Sequence, residues 1–295
     1  MSYTRGALRT VARSVRYVGP LALRGRRASV RGVHPSAEAV GLAPALAVGL
    51  AVGARRGGIS SPRLATGTLG VCLVFFAFAT TLEPLANHTF LWAHLLQNVV
   101  LAEWAPLLLV LAVPPRLAER ASGFPLFRPL IALPLWLVAY YTWHLPWSYD
   151  TALRHPHSLL HVEHLNYLAV GICLWWPVVH GRSSAGAKAA YLFAAFVLAS
   201  PLGLLLALIP RAIYPFYVHA PRTWGPGPLA DQQIAGVTMA AEEAVVFFGA
   251  FAAYLLRFLA DEQASGQIRP SETRSAARAR PADLRAAPGS ARSRH

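Results

Sequence analysis

The residues best suited to chemistry in this 295-residue chain are its histidines, eleven in all. His161 and His164 stand three apart, which puts both imidazoles on one face of any helix that carries them. His94 has Gln97 and Asn98 about one turn further along on the same face, and His144 follows Trp143 at the end of an apolar stretch. Imidazole suits copper or zinc, and imidazoles projecting from neighbouring helix ends can close a site without loop ligands. His94, His144, His161 and His164 are therefore the candidate metal ligands. Glu163 and Asp150 are candidates to orient them, because a ligating histidine commonly donates its second N–H to a carboxylate. The competing reading is that these histidines only hydrogen-bond neighbouring helices.

Other chemistries find little support. The stretch His161-Val-Glu163-His164 does not have the HExxH or HxxEH spacing that puts two histidines and a glutamate of a zinc peptidase on one helix. There is no GxSxG, phosphate-binding loop or GxGxxG, so the chain is not expected to be an enzyme. Methionine is confined to Met1 and Met239, which argues against a thioether-lined Cu(I) path. Cys72 and Cys173 each sit in an apolar run and are read as small buried hydrophobes. Acids in apolar surroundings are a separate signal. Asp231 and Glu242 are three turns apart on one helix face, roughly 16 Å in depth. Glu243 adjoins that face, and Glu103 lies opposite His94. Ionisable groups in hydrocarbon are functional candidates by default, and a proton or cation route competes here with paired carboxyls between helices.

The elements that must position these residues are membrane helices. Charged residues make up 14% of the chain and hydrophobic ones 55%, where a soluble domain has about 25% charged. Seven apolar segments, at about 39–54, 64–82, 90–113, 129–143, 160–179, 189–209 and 231–258, are judged against the roughly 20 residues a spanning helix needs. The first and fourth are short. Trp92, Trp143, Trp147, Trp175, Trp176 and Trp224 fall near predicted helix ends and read as interfacial belts. The predicted fold is an all-α, polytopic bundle of about seven transmembrane helices over residues 38–260. It is flanked by a basic, disordered extension (1–37, eight Arg and no acid) and a disordered basic tail (261–295). A net charge of +14 carried mainly by these flanks is not a nucleic-acid footprint; the lipid bilayer is the expected partner.

Arg55, Arg56, Arg63, Arg116, Arg120, Arg128, Arg182 and Lys188 occupy the loops after segments one, three and five, against Arg154, Arg211 and Arg222 in the alternate loops. The positive-inside rule then places the C-terminus in the cytoplasm, with the N-terminus, and its Arg-rich extension, outside. His88, His94, His144, His155, His157, His161, His164 and His219 all fall at the outer side.

The run Trp143-His144-Leu-Pro146-Trp-Ser-Tyr149-Asp150-Thr-Ala-Leu153-Arg154-His155-Pro156 is followed by His161-Val-Glu163-His164 and Gly171-Ile-Cys-Leu-Trp175-Trp176-Pro177. With His94-Leu-Leu-Gln97, Pro210-Arg211-Ala-Ile-Tyr214-Pro215-Phe-Tyr217 and Asp231-Gln232-Gln233-Ile-Ala-Gly236, it closely resembles the CtaG-type cytochrome c oxidase assembly factors, in that family's order, over about residues 40–255. The resemblance implies a bacterial plasma-membrane protein that serves assembly of caa-type oxidase, with oxidase subunits as partners and a part in forming the copper centres. The family usually has HxxQH where this chain has Asn98 in place of the second histidine. It is usually apolar where this chain has Glu103, Glu242 and Glu243. The expected function is a non-enzymatic assembly factor that holds copper at the outer face. The alternatives are a proton-coupled transporter of copper or a small solute using Asp231, Glu242 and Glu243, and a metal-free chaperone of oxidase subunits.

Overall fold

The computed structural model describes residues 36–56 and 59–278, with side chains as far as residue 265. The extension at residues 1–35, with His34, and residues 279–295 lie outside them. The described residues form helices joined by short connections, with no strand among them. Six helices are long and apolar enough to cross a membrane: α1 (Glu38–Arg55), α2 (Ser61–Ala79), α4 (Leu91–Ala112), α8 (Leu159–Val179), α9 (Ala185–Leu208) and α11 (Pro228–Ser265). Between them run α3 (Leu82–His88), α5 (Pro115–Ala121), α6 (Pro129–His144), α7 (Pro146–Arg154) and α10 (Pro215–His219). The fourth apolar segment is α6, whose 16 residues fall short of the roughly 20 that cover the hydrocarbon. The chain is an all-α membrane helix bundle. Helical backbone continues from α11 to Arg278, past residue 260.

α4 and α8 are the central pair: 67% of the apolar window of each is buried, against 17% for α1. They cross closely because Gly171 of α8 has no side chain. A Cβ there would press into the Ala102 carbonyl of α4 and come within 2.6 Å of Pro106 Cγ. α11 approaches α9 in the same way, where a Cβ on Gly236 would lie 2.6 Å from the Gly203 carbonyl oxygen. Small residues that let backbones touch are the usual means of packing helices in lipid. Gly171→Leu is therefore expected to lower thermal stability in detergent by more than the about 1–3 kcal/mol typical of overpacking, because backbone rather than a movable side chain is in the way. A melting temperature equal to wild type would show that α4 and α8 are free to separate.

Contacts between helix ends define two poles. At one, Glu38 meets His161 and His164, Asp231 meets Leu91, and the Tyr214 hydroxyl donates to the His144 carbonyl at 2.9 Å. At the other, Arg63 donates to the Val113 carbonyl and His180 Nε2 lies 2.9 Å from that of Val110. The histidine candidates thus gather at the pole opposite the arginine-rich loops. Large apolar side chains such as Val48, Phe75, Leu130, Leu205 and Val245 are exposed on the flanks, where lipid would cover them. Of the tryptophans read as belts, Trp147 and Trp224 are exposed, but Trp175 and Trp176 are buried; Trp175 stacks on Phe247 inside the bundle.

Among the described residues three π turns occur, one opening α1 at Glu38–Leu42 and two within helices at Val100–Trp104 and Ala244–Phe248. Such turns are rare and cluster at functional sites. Each carries or directly follows a buried glutamate: Glu38, Glu103, and the pair Glu242 and Glu243.

Candidate metal centre

His161 and His164 stand on the first turns of α8 and, as their spacing requires, face the same way. What they face is Glu38, the first residue of α1. Its Oε1 lies 2.5 Å from His161 Nδ1 and 2.9 Å from His164 Nδ1. The three ligand-type atoms are all within 4.8 Å of one another. Glu38 and His164 are buried, whereas His161 keeps 30% of its side chain exposed, so the group opens toward the pole. Two imidazole nitrogens and a carboxylate oxygen suit copper(II) or zinc, and the set contains no sulfur of the kind Cu(I) prefers. His164 Nε2 is buried and has no hydrogen-bond partner.

Glu38 was not among the residues picked out from sequence. Its signal was nevertheless present, since it is the only acid before Glu83 and stands at the head of an apolar segment. Glu83, on α3 outside the spans, lies near this group. Burial, then the Glu38 carboxylate, pushes its carboxyl up to about 7. A carboxyl raised in the folded state stabilises fully below its ordinary value near 4.5, and that contribution is lost as pH rises through about 7. Glu83→Gln should therefore melt above wild type at pH 8 in the metal-free protein, with the gap closing at pH 5; a gap of constant size would refute the assignment.

His94 is a neighbour of this group rather than a member. Its ring centroid is 6.1 Å from that of His164, and it is fully buried. Tyr217 has one hydroxyl proton, which it donates to the Ala86 carbonyl, so it accepts from His94 Nδ1 at 3.0 Å. His94 Nε2 then faces Glu163 Oε1 at 3.5 Å. A ring lone pair opposite a carboxylate needs a cation between them, a proton or a metal. Asn98 Nδ2 donates to the same Glu163 oxygen at 2.9 Å, so the residue that replaces the family's second histidine still serves this cluster. Glu163 thus lies beside His94 and is hydrogen-bonded to Asn98.

The remaining candidates are dispersed. His144 Nδ1 lies 2.7 Å from the Tyr140 carbonyl within α6, and Tyr149 packs between its ring and that of His94. Asp150, expected to orient an imidazole, instead accepts from the Phe216 backbone N–H at 3.1 Å and pairs with Arg154, tying α7 to α10. Burial raises its carboxyl, opposed by that N–H and by Arg154. Gln97 donates to the Ala77 carbonyl of α2. Asp231 is held by groups of neighbouring elements. It accepts from Leu91 and Trp92 N–H at 2.9 and 3.1 Å, capping α4 from another helix, and pairs with Arg222 at 2.9 Å. Its neighbour Gln232 accepts from Ile213 N–H and donates to the Arg211 carbonyl. The Asp231-Gln232 and Pro210-to-Tyr217 motifs are thus two halves of one structural joint. His88, His155, His157 and His219 are exposed and outside the cluster.

Six long apolar helices among the described residues, with a histidine–carboxylate cluster at one pole, make this a multi-pass membrane protein. The family model for cytochrome c oxidase caa3 assembly factors (Caa3_CtaG) matches residues 45–261. The chain belongs to that family, so its role lies in oxidase assembly. Glu38 precedes the matched region; His94, His161, Glu163 and His164 lie within it. No curated protein and no solved structure matches the chain.

Proposed function

We propose that the protein is a non-enzymatic assembly factor of the bacterial plasma membrane that holds copper as cargo on Glu38, His161 and His164 and presents it to an oxidase subunit at the outer face. The observation that carries this reading is the convergence of two imidazoles and a carboxylate, from helices more than 120 residues apart in sequence, at the opening of the bundle. His94 and Glu163 stand behind the site and supply a second, buried nitrogen–carboxylate pair for the cation to engage. The outer placement follows from the basic loops at the opposite pole, which the positive-inside rule assigns to the cytoplasm together with the C-terminus. That is also the side on which a copper-receiving domain of such an oxidase is expected. His144 Nδ1 is held by its own helix, and the residue is not a ligand of this site.

Exchange of cargo is favoured by the partial exposure of His161, through which an incoming ligand from the partner can replace protein ligands one at a time. The test is the copper content of the purified protein after exposure to copper(II) and desalting. Wild type should retain about one equivalent per chain, and the His161→Ala, His164→Ala double variant none. Equal retention by the double variant would remove the site, and no retention by either would favour a metal-free chaperone of oxidase subunits.

A further inference from the structure

A second polar centre lies deeper in the bundle, where the carboxyls of Glu103 and Glu242 meet and that of Glu243 is close by. Glu103 of α4 comes within hydrogen-bonding reach of Glu242 of α11. Trp104 Nε1 donates to Glu242 Oε1 and the Tyr140 hydroxyl to Glu243 Oε1, both at 2.5 Å. All three glutamates are buried, and none of the ion pairs among the described residues reaches them. Three carboxylates without a counter-ion cannot share a dry site in the fully ionised state. The charge must be balanced by protons or by a bound cation. A chelated ion is the poorer fit, because the one metal-type grouping among the described residues is that of Glu38, His161 and His164.

The carboxyls are not merely tied off between helices. Each keeps one oxygen with no partner, namely Oε2 of Glu103, Glu242 and Glu243. Beside Glu103 lies a small cavity lined also by Asn98, Tyr140, His144, Tyr167 and Met239, with room for about one water. Two of its lining residues bring buried, unpartnered polar atoms, His144 Nε2 and Asn98 Oδ1. The amide nitrogen of that same Asn98 is bonded to Glu163. The cavity therefore touches the carboxyl centre on one side and the histidine pole on the other. π turns accompany the glutamates on both helices.

We propose that Glu103, Glu242 and Glu243 form a proton-binding site inside the bundle, reached from the histidine pole through a water held between Asn98, His144 and Glu103. Its ligand is the proton, carried by water. The site would keep at least one of the three carboxyls neutral at neutral pH and leave its proton exchangeable.

Infrared spectra of the purified full-length protein at neutral pH, before and after transfer to D2O, test this. Wild type should show the C=O stretch of a protonated carboxyl, shifted down on deuteration. The band should be lost or reduced in at least one of Glu103→Gln, Glu242→Gln and Glu243→Gln, with Glu83→Gln recorded alongside to remove the contribution of that carboxyl. Where a glutamine variant does not fold, the aspartate variant keeps the carboxyl but moves it, and should shift the band. Asn98→Leu, which fills the cavity with apolar bulk, should slow deuteration at least tenfold. A band absent from wild type, or unchanged in every variant, would overturn the site. Deuteration as fast in Asn98→Leu as in wild type would overturn the route.

Discussion

Glu38→Ala should abolish copper retention as completely as loss of both histidines, with an affinity drop beyond the about 100-fold upper end seen for changes around a metal's ligands. His161 and His164 project from one helix, and nothing in α8 closes the site on its far side; Glu38 Oε1 is the atom toward which both Nδ1 atoms point. It is also the anionic donor of the set, so Glu38→Gln, which keeps size and an oxygen but not charge, should bind more weakly than wild type while remaining folded. Copper titrations of the three proteins in detergent, followed by competition with a chelator of known affinity, would rank them. Affinity of Glu38→Ala within a few-fold of wild type would mean that the imidazoles, with His94, bind without α1. The result matters because Glu38 lies outside the region that defines the family, so copper handling by this chain would then depend on a residue the family match does not include.

Asp231→Ala is expected to be the most damaging single change to stability. It would leave the Leu91 and Trp92 N–H groups at the start of α4 without acceptors and strand the Arg222 guanidinium, whose side chain is 11% exposed. Removing one partner of a buried ion pair costs about 3–5 kcal/mol, chiefly because the other charge remains buried and unpaired. Asp231→Asn, which keeps an acceptor oxygen but loses the charge, should fall between alanine and wild type. Thermal unfolding in detergent measures the series. Asp231→Ala melting with wild type would mean that water replaces the carboxylate at no cost, and would return Asp231 to consideration as a mobile proton carrier.

These two residues mark where sequence reasoning succeeds and where it stops. Spans are legible because runs of about 20 apolar residues match the length that crosses the hydrocarbon, and the bundle follows from them. The shortness of α6 was legible too, as was the placement of His161 and His164 on one face, which helical periodicity dictates. Partnership between helices was not. Periodicity says which way a side chain points along its own helix and nothing about which helix stands opposite. Periodicity therefore groups Asp231 with Glu242, three turns further along the same helix, whereas its partners are the start of α4 and Arg222. Asp150 was assigned to an imidazole when its partner is a backbone N–H of α10. His144 falls at the same pole as His161 and His164, yet its Nδ1 is held by the Tyr140 carbonyl, and Tyr149 packs between its ring and that of His94. The glutamates of α4 and α11 were noticed because charge in an apolar segment is conspicuous; that Glu103 meets Glu242 depends on the crossing of the two helices.

The most direct test of copper handling is made in the cell. In membranes of a strain whose only copy of the gene encodes the His161→Ala, His164→Ala variant, oxidase subunits and oxidase-bound copper are quantified beside wild type and a deletion strain. Oxidase protein present at normal amount but copper-poor and inactive in both the variant and the deletion is the predicted result. Copper-replete, active oxidase in the variant strain would contradict it.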